Sequence, residues 1–358
     1  MTDTITLNKV LLSPLIRELQ KSEFDHLLEQ IPGISEQSLL DLLIYNGISI
    51  LWLEYIVKNG HTHRFSQLFI ERLNDQKKVS IATLNLQMEI MRQIHDIFVS
   101  NNIEYLYFKG SNLRYTIYDN PTYRPASDVD LLIREDDINR AASKLAEAGF
   151  DLRLDHKNIS HELIAVKKTV ALDLHWHIFR PGRTKYSLND YLFSNRMMFE
   201  DLNGLNSEAS LVVMLVHPAF TKYIMSPASL LIHLVDQHKL LSKEDINQES
   251  LVRNLDHFGC KTAAWASLYL LDILSGNSAI ATISDNLSPG RLRKKYIAYW
   301  IENDLVNKYW SKKIIIQGLF NLVLQDSLSD SIIAVINLIG EKMKAEQKTG
   351  EIKKAIEY

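Results

Sequence analysis

Asp128 and Asp130 stand two residues apart at the head of an apolar run, Val129, Leu131, Leu132 and Ile133, and a run so short and so apolar reads as a buried β-strand. Alternate residues of a strand share a face, so both carboxylates point the same way, separated by about 6.5 to 7 Å of rise. Two acids so placed can share divalent metals. Upstream, residues 105–108 form a short aromatic strand, followed by Lys109-Gly110-Ser111 and then by residues 112–118, which can form a short helix. Downstream, residues 170–178 alternate in a way that sends Asp173, His175 and His177 to one face. Residues 150–154 and 162–167 supply two further strands, and residues 136–148 read as a helix closed by Gly149.

The flanks have a different texture. Residues 7–100 carry helical apolar spacing, as in Leu39, Leu40, Leu42, Leu43 and again Ile90, Met91, Ile94, Phe98. Helix returns from about residue 192, with periodic segments at 210–220, 229–241, 262–274, 291–310 and 332–343, before a polar tail, 341–358, that reads as a solvated or frayed helix. The expected class is α/β (α+β): a central mixed-sheet domain, residues 96–190, between an N-terminal helical region, 1–95, and a C-terminal helical domain, 191–358.

Forty basic against 43 acidic residues give a net charge of -3, which provides no general field for a polyanion, so bulk DNA binding is not expected. The local cluster Arg291, Arg293, Lys294 and Lys295 reads as a solvated helix face. No apolar run reaches the length of about eighteen residues that a membrane helix needs, and Met1-Thr2-Asp3-Thr4 lacks a secretory signal, so a cytoplasmic location without membrane attachment is expected. The single cysteine, Cys260, cannot form an internal disulfide and reads as a half-buried small hydrophobe.

Carboxylates at this spacing suit Mg²⁺ or Mn²⁺, which prefer hard oxygen ligands. If the Asp173 strand neighbours the Asp128 strand, three acids converge, and His175 can orient Asp173 or touch a substrate. Gly110 and Ser111, placed between a strand and a short helix, offer backbone N–H groups and a hydroxyl to phosphate oxygens. Lys109 and Arg124 are candidate cations for the same phosphates, Arg124 with the better fork geometry.

The order Gly-Ser, then Asp-x-Asp, then a lone strand Asp is similar to that of the polymerase-β-like nucleotidyltransferase superfamily. Closer still, Phe108-Lys109-Gly110-Ser111-Asn112-Leu113, Tyr123-Arg124-Pro125-Ala126-Ser127-Asp128-Val129-Asp130 and Leu172-Asp173-Leu174-His175-Trp176 resemble a bacterial family of uncharacterised nucleotidyltransferases. That resemblance spans about residues 100 to 180, with a fainter echo at 230–241, where Asp236 matches an acid on that family's helix. It implies metal-dependent transfer of a nucleoside monophosphate, AMP first among them, from a nucleoside triphosphate such as ATP to a hydroxyl of a small molecule, peptide or protein, with release of pyrophosphate. It also implies Asp128, Asp130 and Asp173 as metal-binding and catalytic residues, with Lys109, Gly110, Ser111, Arg124 and His175 around the nucleotide. The long interval from Ser111 to Asp128 requires an extra loop around Asn120-Pro121.

Two alternatives come from other classes. One is a nucleotide- or partner-binding module that keeps the fold without turnover. The other is a metal hydrolase built on His175 and His177, drawing further ligands from Asp155, His156, His161 or His217. His61-Thr62-His63 reads as an exposed turn, and Asp136 and Asp137 as helix-capping acids.

Overall fold

A computed structural model describes residues 4–31, 33–153, 161–180, 182–227, 230–243, 246–276 and 278–357. Four helices, α1 (Thr4–Ile16), α2 (Lys21–Glu29), α3 (Glu36–Tyr45) and α4 (Ser49–Lys58), precede α5 (Gln67–Ser100), a 34-residue helix. Ser66 caps α5 by accepting the Phe69 N–H, and the Ile90, Met91, Ile94 and Phe98 stripe supplies the buried face of its second half. His61 departs from the expected exposed turn: it is buried at the end of α4, with its ring against Phe24 and Tyr55.

The sheet follows: β1 (Tyr105–Tyr107), α6 (Gly110–Thr116), β2 (Asp128–Ile133), α7 (Ile138–Glu147), β3 (Asp151–Arg153), β4 (Glu162–Lys167) and β5 (Val170–His175). Its spatial order is β1-β2-β5-β4-β3, parallel between β2 and β5 and antiparallel elsewhere, so the sheet is mixed as expected. Val129, Leu131 and Ile133 of β2, with Leu172 and Leu174 of β5, pack into one core beneath α5 and α7. Period-two alternation therefore turns Asp128, Asp130, Asp173 and His175 to the opposite face.

Two expected elements are shorter. Residues 135–137 form a 3₁₀ turn ahead of α7, where Asp137 pairs with Arg140 instead of capping the helix. β5 stops at His175 because the Trp176 and His177 amides both donate to the His161 carbonyl, at 2.9 and 3.3 Å, which bends the chain out of the ladder. His177 consequently turns away and sets its Nε2 3.1 Å from Glu135. Leu154, Asp155 and His156 lie outside the described residues.

After α8 (Asn189–Ser194) comes a hairpin absent from the expected pattern, β6 (Arg196–Phe199) and β7 (Leu202–Leu205). Its two-residue turn, Glu200-Asp201, has φ of 46° and 64°, the left-handed geometry that hairpins usually give to Asn-Gly. Phe199 packs against Tyr107 and Tyr115, fastening the hairpin to the β1 side of the sheet.

The remaining helices are α9 (Ser207–Lys222), α10 (Leu231–Leu241), α11 (Gln248–His257), α12 (Lys261–Ser275), α13 (Ser278–Leu287), α14 (Arg291–Glu302), α15 (Leu305–Lys308), α16 (Lys313–Ile315) and α17 (Leu328–Glu357). The expected helix 291–310 breaks at Asp304, whose φ is 52°. The polar tail continues α17, and Ile352 is buried in the core beneath the sheet. Helices from both ends share a second core, with Leu43 and Trp52 in one cluster with Leu215 and Trp265. Cys260, at 0% exposure, is fully buried there instead of half-buried. Among the described residues no single helix is long and apolar enough to cross a membrane.

Candidate active site

The parallel pairing of β2 with β5 sets Asp130 directly opposite Asp173. Asp130, Asp173 and His175 can each offer one ligand atom such that these atoms all lie within 4.8 Å of one another. Asp128, two residues earlier on the same face, lines the same cavity of about 630 Å³. Sheet residues make one wall of that cavity, and residues following β5 and from the C-terminal helices make the other.

Lys109 supplies the cation nearest these acids. Its Nζ lies 2.7 Å from Asp130 Oδ1, and its backbone has φ 51° and ψ -134°, a conformation that favours glycine. Holding a non-glycine residue there costs about 1–3 kcal/mol, which the Phe108 amide on the Asp130 carbonyl and the ion pair itself help to offset. Burial opposes the charge of Asp130, but Lys109 and then His175 hold its carboxyl well below the usual carboxylate range. Asp128 moves the other way, raised by burial and by the charge of Asp130. Asp173 is pushed up to about 6 by burial, then by Asp130 and Asp128. Three acids on one sheet face thus have different proton affinities.

His175 is buried between two carboxylates. Its Nε2 is 3.3 Å from Asp130 Oδ1, and its Nδ1 is 3.2 Å from Glu162 Oε2, within ion-pair reach although not aligned as a hydrogen bond. Glu162, opposite His175 on β4, was not singled out from the sequence, where it is one acid among many. Burial and the neighbouring His175 lower His161 to about 3, so it is neutral near pH 7.

The phosphate candidates divide. Gly110 and Lys109 line the cavity, whereas Ser111 lies beneath it, its Oγ accepting the Asp130 N–H at 3.0 Å. Arg124 lines the cavity, but its fork grips Asp236 of α10, with Nε and Nη2 at 3.2 and 2.8 Å from Oδ2. Its Nη1 donates to the Pro125 carbonyl, and Tyr118 donates its hydroxyl to Asp236 Oδ1 at 2.7 Å.

A Cβ added at Gly110 would stand 2.7 Å from Arg124 Nη1 and 3.1 Å from Ala126 Cβ. Gly110→Ala is therefore expected to lose about 1–3 kcal/mol of stability, the usual range for overpacking, as a shift of the urea midpoint. A midpoint within experimental error of the native one would show that Arg124 moves aside freely.

Arg180, Arg183, Lys222 and Lys313 line the same cavity as the acids. They come from the loop after β5, the end of α9 and the start of α16, and no sequence pattern joins them. His217 and His233 line it too, the first well below its ordinary pKa and the second lowered to about 4, both chiefly by burial, so neither adds charge near neutral pH.

A family model described as an uncharacterised nucleotidyltransferase matches residues 32–276. No curated protein and no solved structure matches the chain.

Proposed function

Since the chain belongs to this family of uncharacterised nucleotidyltransferases, we propose that it transfers a nucleoside monophosphate from a nucleoside triphosphate to an acceptor hydroxyl, with AMP from ATP as the expected case. The observation that carries this proposal is the Asp130–Asp173 register across β2 and β5, inside a cavity also lined by Arg180, Arg183, Lys222 and Lys313. Asp130 and Asp173 offer carboxylate oxygens from adjacent strands, a hard donor pair that fits Mg²⁺ or Mn²⁺, beside one imidazole nitrogen of His175. Asp128, Asp130 and Asp173 would hold the metal, with His175 orienting Asp130. When bound, the metal supplies charge neutralisation around the α-phosphate and the departing pyrophosphate.

The chain's own groups do the rest. Arg180, Lys222 and Lys109 meet the negative oxygens of the triphosphate. Arg124 fixes the loop that carries Pro125 to Ser127 by its bonds to Asp236. Asp173, with a proton affinity near neutral, accepts the proton of the acceptor hydroxyl. As the new acceptor O–Pα bond forms, the Pα–O bond to the β-phosphate breaks and pyrophosphate leaves with the electron pair. One observation favours a binding module without turnover: Lys109 Nζ, 2.7 Å from Asp130 Oδ1, competes with a cation for that carboxylate.

Incubating the protein with each α-phosphate-labelled triphosphate, a divalent metal and cell extract separates these readings. Metal-dependent label on an acceptor, with release of pyrophosphate, supports transfer. Triphosphate binding with no labelled product supports the module.

The pH dependence of metal binding gives a further test. The folded-state value of about 6 for Asp173 exceeds its ordinary 3.8, so the folded metal-free chain binds this proton more tightly than the unfolded chain does. This group's contribution to stability therefore falls as pH rises from about 4 to about 6, and a divalent cation must displace the proton below about pH 6. Added Mg²⁺ is expected to raise Tm more at about pH 7.5 than at about pH 5. Equal shifts at both pH values would remove Asp173 from the ligand set.

A further inference from the structure

A second cavity, of about 580 Å³, adjoins the first, a volume that suits a small organic molecule. Pro125, Ala126 and Ser127 line both, so the segment leading into Asp128 forms a partition with one side turned to each cavity. The other walls come from α3, α4 and α5, from Arg114 on α6, and from Thr169 and Val170 at the head of β5. Ile50, Leu84 and Leu86 make much of the lining apolar. At its edge Ile44, Tyr45 and Val79 are 37%, 56% and 59% exposed, apolar surface that an occupant would cover.

Arg114 is the only charged side chain among the described residues that line this cavity. It is 3% exposed; its Nε donates to the Gly110 carbonyl at 3.0 Å and its Nη1 to Gln87 Oε1 at 2.8 Å. Both partners are neutral, and Nη2 has no hydrogen-bond partner among the described residues. Burial, and then the nearby charge of Arg124, lower its pKa to about 10, against the smaller opposing pull of Asp128 and Asp236, neither of which is hydrogen-bonded to it. A buried charge in that condition is unfavourable until an anion meets it.

We propose that this second cavity is the acceptor site, and that the acceptor is a small molecule with an apolar body, a carboxylate for Arg114 and a hydroxyl that reaches past Ser127 to Asp173 among the acids of the first cavity. The acceptor role rests on the transferase reading above; the pocket and its ligand chemistry do not.

The test is calorimetric titration of the full chain with hydrocinnamate, an apolar carboxylate, beside its neutral analogue hydrocinnamyl alcohol, with no nucleotide present. The native chain is expected to bind the carboxylate saturably and about tenfold more tightly than the alcohol. Arg114→Gln should abolish that preference. Thr83→Trp, a substitution on the half-buried face of α5 that fills the cavity, should abolish binding of both probes and leave ATP affinity unchanged, even if Arg114→Gln fails to fold. Absence of saturable binding, equal binding of the two probes by the native chain, or loss of ATP affinity in Thr83→Trp would overturn the proposal, the last by assigning the cavity to the nucleotide. Carboxylate binding as expected, alongside failure to label any acceptor, would leave the pocket standing and remove the transferase reading instead.

Discussion

Asp128→Asn and Asp130→Asn are each expected to reduce nucleotidyl transfer by about three orders of magnitude, because each removes an anionic oxygen from a site asked for several kcal/mol of transition-state charge stabilisation. The two variants should differ in stability. Asp128 carries a raised pKa from burial and from Asp130, so its neutral replacement relieves repulsion and is expected to leave Tm unchanged or slightly higher. Asp130→Asn strips the half-buried Lys109 ammonium of its 2.7 Å partner and should lower Tm. Pyrophosphate release and thermal unfolding, measured on the same preparations, read the two effects separately. Turnover above about a tenth of native in Asp128→Asn would place that residue outside the chemistry.

Arg124→Ala is expected to cost about 3–5 kcal/mol, the largest stability loss of any change considered, because it leaves the Asp236 carboxylate buried without its guanidinium. Asp236 is 0% exposed and, among the described residues, would keep only the Tyr118 hydroxyl as a hydrogen-bond donor to its carboxylate. The pair joins the loop before β2 to α10, so urea unfolding should show the destabilisation, and replacing both partners with apolar residues, Arg124→Met with Asp236→Leu, should recover most of it. If Arg124 served chiefly to hold phosphate, the single variant would keep its urea midpoint and lose triphosphate affinity.

The alternation of residues 128–133 carried the placement of the acids, since period two on a buried strand leaves one choice of face. Whether Asp173 stood beside Asp130 was conditional on strand order, which depends on pairing between segments more than forty residues apart, and local pattern does not encode it. The same holds for Arg124 and Asp236: each was visible alone, but the bond between them spans 112 positions. The β6–β7 hairpin escaped because Glu200-Asp201 adopts left-handed geometry without the glycine that normally announces it. The cations that line the cavity, from unrelated loops and helix ends, acquire a common purpose only once the chain has folded around it.

Lys109 gives this arrangement a property that three crowded acids would otherwise lack. Where carboxylates face one another without relief, a protein often depends on its metal to complete folding, and chelation then unravels it. Here Asp130 has an ammonium at hand within the same chain. On the metal-dependent reading proposed above, assembly and loading are thereby uncoupled: the folded scaffold is expected to survive chelation, and the ion would act as an ignition key rather than a structural rivet.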